Sequence, residues 1–307
     1  MSTDQTKAGA LNAQYGIQDQ VSFREQSPGF IVIDVANAQA TAALALQGAQ
    51  LLTWTPRGQP EVVWQSPEAR FVEGKSVRGG VPVCWPWFGA HPDDATLPAH
   101  GFARTTGWEI IRTATLAGSG ATRLELRFLH TDATRRIWPH RSELELHVDI
   151  GRTLEMELIS RNIGADAFTP TQALHTYFAV GDIRQTRVTG LDGCDYLDKV
   201  GPEQRRQQQG PVTFSGETDR IYVDTDADCL IEDPHLQRRI RVSKRGSHST
   251  VVWNPWIEKA ERLGDLGEDG YLHMLCVESA NAADDRVTLE PGNEYHLAVR
   301  YSVEALE

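Results

Sequence analysis

Three stretches of this 307-residue chain put ionisable side chains where strand logic asks for something apolar or small. In "LHMLCVES" (272–279), Met274, Cys276 and Glu278 share one face under period-two alternation. A carboxylate at the end of an apolar face is either paired or has a raised pKa, and both conditions make Glu278 a candidate base. The competing reading is a strand-end carboxylate that reaches solvent. In "TQALHTYFAV" (171–180), Ala173, His175, Tyr177 and Ala179 share a face, and the small residues leave room for something to approach the imidazole and the phenol. Here the competing reading is a core histidine bonded to backbone. The third stretch is double: "RGGVPVCWPWFG" (78–89) and "PAHGFAR" (98–104). Arg78 and Arg104 bracket a segment with no other Arg or Lys but with two Trp and two Phe. Gly79 and Gly80 would let backbone come close to a ligand, the aromatics would stack on a sugar face, and two guanidinium forks would clamp an anion. Alternatively the segment is an ordered loop with both arginines in structural ion pairs.

The rest of the chain supplies strands to hold these groups. "SELELHVDI" (142–150) alternates apolar and polar side chains, and "TLEMELISRN" (153–162) repeats the pattern after Gly151-Arg152, a two-residue hairpin signal. Further hairpins are expected around Gly118-Ser119-Gly120 and at Pro291-Gly292-Asn293. "FIVIDV", "LLTWTP", "EVVWQS", "RVTGL", "CLIED", "RIRVSK" and "STVVWN" add short strands. Helical periodicity is scarce: 256–266 is a candidate short helix, and the first residues, to about 20, either fray or cap the fold. A dozen or more strands without alternating helices imply an all-β chain, a large antiparallel sandwich or barrel, here expected as a single domain over 1–307.

Composition narrows the partners. A net charge of −12 repels nucleic acid and anionic membrane, so an anionic substrate needs a local cluster of cations. No run of eighteen apolar residues is present and the N-terminus lacks the apolar core of a secretory signal. Cys84, Cys194, Cys229 and Cys276 are far apart, which suits free thiols in a reducing cytoplasm. There is no HxH, HExxH or tight His/Asp/Glu triplet to hold a metal, and no nucleotide-binding loop.

Taken in order, "VRGGVPVCWPWFG", "PAHGFART", "ALHTYFAVGD", "VTGLDG", "TDRIY", "VVWNPW" and "CVESAN" resemble the hexose-6-phosphate mutarotase branch of the aldose 1-epimerase family, from about residue 30 to 303. The resemblance implies a galactose-mutarotase-like β-sandwich and an isomerase that interconverts α and β anomers of a hexose 6-phosphate without a cofactor. It further implies His175 as general acid, Glu278 as general base, and His100 near the sugar ring. Asp219 would hold sugar hydroxyls, and Arg78 and Arg104 would accept the phosphate. The chemistry suits these residue types. A base takes the C1 hydroxyl proton while an acid protonates the ring oxygen, the C1 aldehyde rotates, and reclosure inverts the anomeric centre. Glu278 is expected ionised and His175 protonated when turnover starts. The competing functions are a silent sugar-phosphate sensor on the same fold, and a metal-dependent isomerase of the cupin type, for which the clustered ligands are missing. A small-molecule substrate and a monomer are expected.

Overall fold

A computed structural model describes residues 6–306. Among them every ladder between strands is antiparallel. One sheet has nine strands, with the long strand Glu294–Ala305 between Arg238–Arg245 and Leu154–Asn162. A second, of eight, runs Gln204–Gln207, Asp195–Asp198, Thr218–Tyr222, Ser249–Asn254, Met274–Asn281, Gln172–Leu174 and Val83–Cys84, with Tyr177–Ala179 also paired to Met274–Asn281. A four-stranded sheet (residues 21–56) joins the second through the bridges Leu51 to Val81 and Trp54 to Val63. This is the large antiparallel sandwich expected from the alternation.

Period-two patterning decides which face is core. Leu275 and Val277 point into the main apolar cluster with Leu174, Phe178 and Val252, while Met274 and Cys276 belong to a smaller cluster on the opposite face. Helix Trp256–Leu263 forms within the expected 256–266 but ends three residues sooner, at Gly264, whose left-handed φ of 66° supplies the C-cap. It lays Ala260 and Leu263 on that smaller cluster.

Several expectations change in detail. The loop between Ser142–Ile150 and Leu154–Asn162 has three residues, because Ile150 pairs with Leu154. The turn at 291–293 is present, with the Asn293 amide donating to the Glu290 carbonyl at 3.0 Å, but no hairpin follows from it. Both edges of Glu294–Ala305 are already occupied, so Leu289 bridges to Phe168 instead. "EVVWQS" makes isolated bridges rather than a strand. At the N-terminus, residues Lys7–Tyr15 form a helix rather than a frayed end; residues 1–5 lie outside the described residues. The Asn12 side chain clamps the helix to the first strand by donating to the Phe23 carbonyl (2.7 Å) and accepting from its amide (2.8 Å).

Candidate active site

The six residues singled out above, Arg78, His100, Arg104, His175, Asp219 and Glu278, all line one cavity of about 340 Å³ on the outer face of the eight-stranded sheet. Strand register brings them together. Tyr177 pairs with Cys276, Cys276 with Trp253 and Trp253 with Asp219, so these four form a row across the sheet. Two residues along, Glu278 pairs with Val251 and Val251 with Ile221. The segments on either side of His175 share one register against Met274–Asn281, so His175 falls opposite Glu278 although the ladder is interrupted there. Residues directly opposite on neighbouring strands share a face. His175 Nε2 lies 3.4 Å from Glu278 Oε1.

Both groups are buried, with Glu278 only 1% exposed, so a strand-end carboxylate reaching solvent is not what the structure contains. Burial, with the charge of Asp219 adding to it and Arg104 opposing, holds the Glu278 carboxyl well above the usual range. Burial also pushes His175 well below its usual value, and the nearby His100, Arg104 and Arg78 work in the same direction. In the protein alone both shifts favour the neutral pair, with the proton on Glu278. The arrangement expected at the start of turnover has the same number of protons and differs only in where one of them sits. Glu278 Oε2 is buried without a hydrogen-bond partner among the described residues.

His100 stacks edge-on to His175 with ring centroids 5.4 Å apart. Burial and the two arginines pull its pKa down to about 3, so it is a neutral ring. Its Nδ1 accepts from the Gly89 amide at 3.3 Å, which leaves the proton on Nε2. The turn that presents it has φ of 65° at His100 and 71° at Gly101, and a Cβ on Gly101 would collide with the Trp85 carbonyl. Gly101→Ala is therefore expected to destabilise the protein by about 1–3 kcal/mol, read as a lower Tm by circular dichroism. An unchanged Tm would mean that the turn relaxes freely and does not fix His100.

The arginines are held differently. Arg78 Nε donates to Asp265 Oδ1 at 2.9 Å and Nη1 to the Tyr177 hydroxyl at 3.0 Å. Burial opposes its charge, but Tyr177 and Asp265 outweigh burial and its proton is held more tightly than usual. Part of the ion-pair reading is thus correct for Arg78. Among the described residues Arg104 makes one side-chain hydrogen bond, Nη2 to the Ala99 carbonyl at 2.8 Å. Gly79 and Gly80 do let backbone come close, but to residues 51–52 and 64–66 of the protein, not to a ligand. Most of the aromatics between the arginines are core: Trp85, Trp87 and Phe102 are buried in the main cluster, and only Phe88 lines the cavity.

The lining residues that escaped the sequence reading as site residues include Trp253, Lys259, Leu263 and Asp265. Trp253 was within reach, since it lies in "VVWNPW" and alternation fixes its face. Lys259 and Asp265 carried no signal, because their role depends on how the helix folds back over the sheet. Asp219, least marked of the six, has its carboxyl pushed up by burial while Lys259 at 3.3 Å pulls it down, with a net rise.

The chain lacks a metal motif, yet the fold draws ligand atoms of His175, Cys276 and Glu278 within 4.8 Å of one another. Burial raises the Cys276 thiol well above its usual value, and Arg78 and Arg104 share the cavity with the carboxyl groups of Asp219, Asp265 and Glu278. Paired imidazole and carboxyl groups with opposed pKa shifts are suited to moving a proton.

Comparison with known proteins bears on the family and the fold. The aldose 1-epimerase family profile matches residues 32–302. An Escherichia coli K12 protein, provisionally named glucose-6-phosphate 1-epimerase, is 40% identical over 262 residues, covering 85% of this chain and 86% of its own. A Cenchrus ciliaris protein with the same provisional name is 36% identical over 262 residues, covering 83% and 78%. A Salmonella typhimurium crystal structure described provisionally as a mutarotase superposes with a TM-score of 0.88 at 35% identity, over 95% of this chain and 96% of that one. A galactose mutarotase-like protein from Lactobacillus casei, at 16% identity and TM-score 0.70 over 89% and 100%, shares the fold.

Proposed function

The chain belongs to the aldose 1-epimerase family and is an isomerase, and we propose that it interconverts the α and β anomers of a hexose 6-phosphate, with glucose 6-phosphate the favoured sugar. The observation that carries the reading is the facing pair His175 and Glu278, 3.4 Å apart at the floor of a cavity that also holds two arginines.

Ring opening needs a proton removed from the C1 hydroxyl and one delivered to the ring oxygen. Glu278 takes the first and His175 gives the second. After opening, the proton sits on Glu278 and His175 is neutral, the distribution that burial favours in the protein alone. Closure on the other face of the aldehyde returns both protons, so one pair serves both directions. Unpartnered Oε2 of Glu278 offers an acceptor for the C1 hydroxyl. Neutral His100 supplies a hydrogen-bond donor to the sugar from Nε2, and Asp219 accepts from ring hydroxyls.

Phosphate at C6 sits far from C1, and its binding energy orients the ring. Its charge has a second effect. Arg78 and Arg104 disfavour a protonated His175, and a phosphate dianion against them cancels that repulsion and favours the charged acid. Phosphate thereby sets the starting proton arrangement as well as affinity.

A small-molecule substrate, a single domain and a monomer complete the reading. Among the described residues no helix is long and apolar enough to cross a membrane. Four free cysteines, three of them buried, support a reducing compartment, and we place the protein in the cytoplasm.

Exchange NMR on equilibrated glucose 6-phosphate tests the reaction. Wild-type protein at catalytic concentration should transfer saturation between the α and β anomeric signals, with free glucose responding weakly. Binding of the sugar phosphate with no exchange above buffer would favour the sensor reading instead.

A further inference from the structure

We propose that Lys259 is a positioning residue for this anomer exchange: it holds the Asp219 carboxylate toward the sugar and balances the charge of that carboxylate against Glu278. The inference rests on the acid–base reading above.

Lys259 Nζ donates to Glu217 Oε1 at 2.8 Å and to Asp219 Oδ2 at 3.3 Å, and lies 5.9 Å from the centroid of the Trp253 ring. The helix that carries it is tied down at both ends. The Trp256 amide donates to Asn254 Oδ1 at 2.9 Å, and Ala260 and Leu263 pack with Tyr177, Trp253 and Cys276. Lys259 and Leu263, one helical turn apart, both face the cavity. Asp219 pairs with Trp253 on the neighbouring strand, so Lys259 spans Trp253 to reach it. No donor among the described residues engages Asp219 Oδ1, which is left as the acceptor for a hydroxyl.

Burial disfavours an ionised Asp219, Lys259 and, more weakly, Lys199 favour it, and Glu217 opposes it. Asp219 in turn favours a protonated Glu278 and Arg104 opposes that; His175 and Cys276 lie beside Glu278, and Arg78, His100 and Asp265 line the same cavity. Without the ammonium, buried Asp219 takes up a proton at higher pH and stops accepting from the sugar, so the active form requires a higher pH.

The experiment is kcat/KM against pH for wild type, Lys259→Met, Lys259→Arg, Asp219→Asn and the Lys259→Met/Asp219→Asn double variant, with Tm recorded for each. Lys259→Met should lose roughly ten- to a hundredfold, as for a charge-assisted hydrogen bond. Its acid limb should move to higher pH, and Lys259→Arg should recover most of the loss. In the Asp219→Asn background, removing Lys259 should add little. An unmoved acid limb, or losses that multiply in the double variant, would overturn the proposal and leave Lys259 a helix anchor. Loss of fold in Lys259→Met together with an inactive but folded Lys259→Arg would count the same way. A wild type that exchanges no anomers removes the underlying reading itself, which is a separate result from an active wild type with an insensitive Lys259.

Discussion

Glu278→Gln is expected to slow anomer exchange by about a hundred- to ten-thousandfold, the range for a positioned general base, while making the folded protein more stable at neutral pH. The two effects have one origin. An amide keeps the shape of the neutral carboxyl but cannot accept the C1 hydroxyl proton. Burial raises the carboxyl well above its usual value in the folded state. The folded protein therefore binds a proton that the unfolded chain releases once the pH passes about 4.3, the ordinary glutamate value. Stability contributed by this group falls as pH rises through that window toward the folded pKa. Gln removes the dependence, so the variant's Tm advantage should be absent near pH 4 and grow toward pH 7. Exchange NMR and paired melting curves read both. A variant as active as wild type would sink the base assignment. A Tm lower than wild type at pH 7 would show that the carboxylate is stabilised by contacts that outweigh its burial.

Arg104→Ala should cost about ten- to a hundredfold in kcat/KM on glucose 6-phosphate, from a charge-assisted bond worth about 1.5–3 kcal/mol. On free glucose it should cost little. Arg104 is the sharper probe of the pair because its guanidinium makes one hydrogen bond among the described residues, whereas that of Arg78 holds both Asp265 and Tyr177. Arg78→Ala should show the same selectivity over a background loss common to both sugars. Since both arginines disfavour a protonated His175, removing either should offset part of any loss on free glucose. Rates for the two sugars, measured in parallel on each variant, separate these contributions. Equal losses on both sugars with Arg104→Ala would mean that this arginine is structural.

Much of this protein was legible before any coordinates. Alternation in 142–162 and 272–279 determined an all-β fold and told which side chains share a face, because the side-chain period of a strand is two whatever it pairs with. The same rule put Met274, Cys276 and Glu278 together, and His175 with Tyr177. It could not say that these two faces are one surface. That depended on register between segments a hundred residues apart, where Tyr177 meets Cys276 and His175 falls opposite Glu278. Nor could composition tell which aromatics between Arg78 and Arg104 are core, since Trp85 and Phe88 differ only in what packs on them. Proton affinities were beyond reach for the same reason: burial and neighbouring charge are properties of the assembled cavity. The sequence by itself determined the residue types and the faces they occupy, through local backbone geometry. Tertiary structure alone decided which faces meet, which charges are desolvated, and how Lys259 and Asp265 are brought over the cleft, because those depend on long-range pairing.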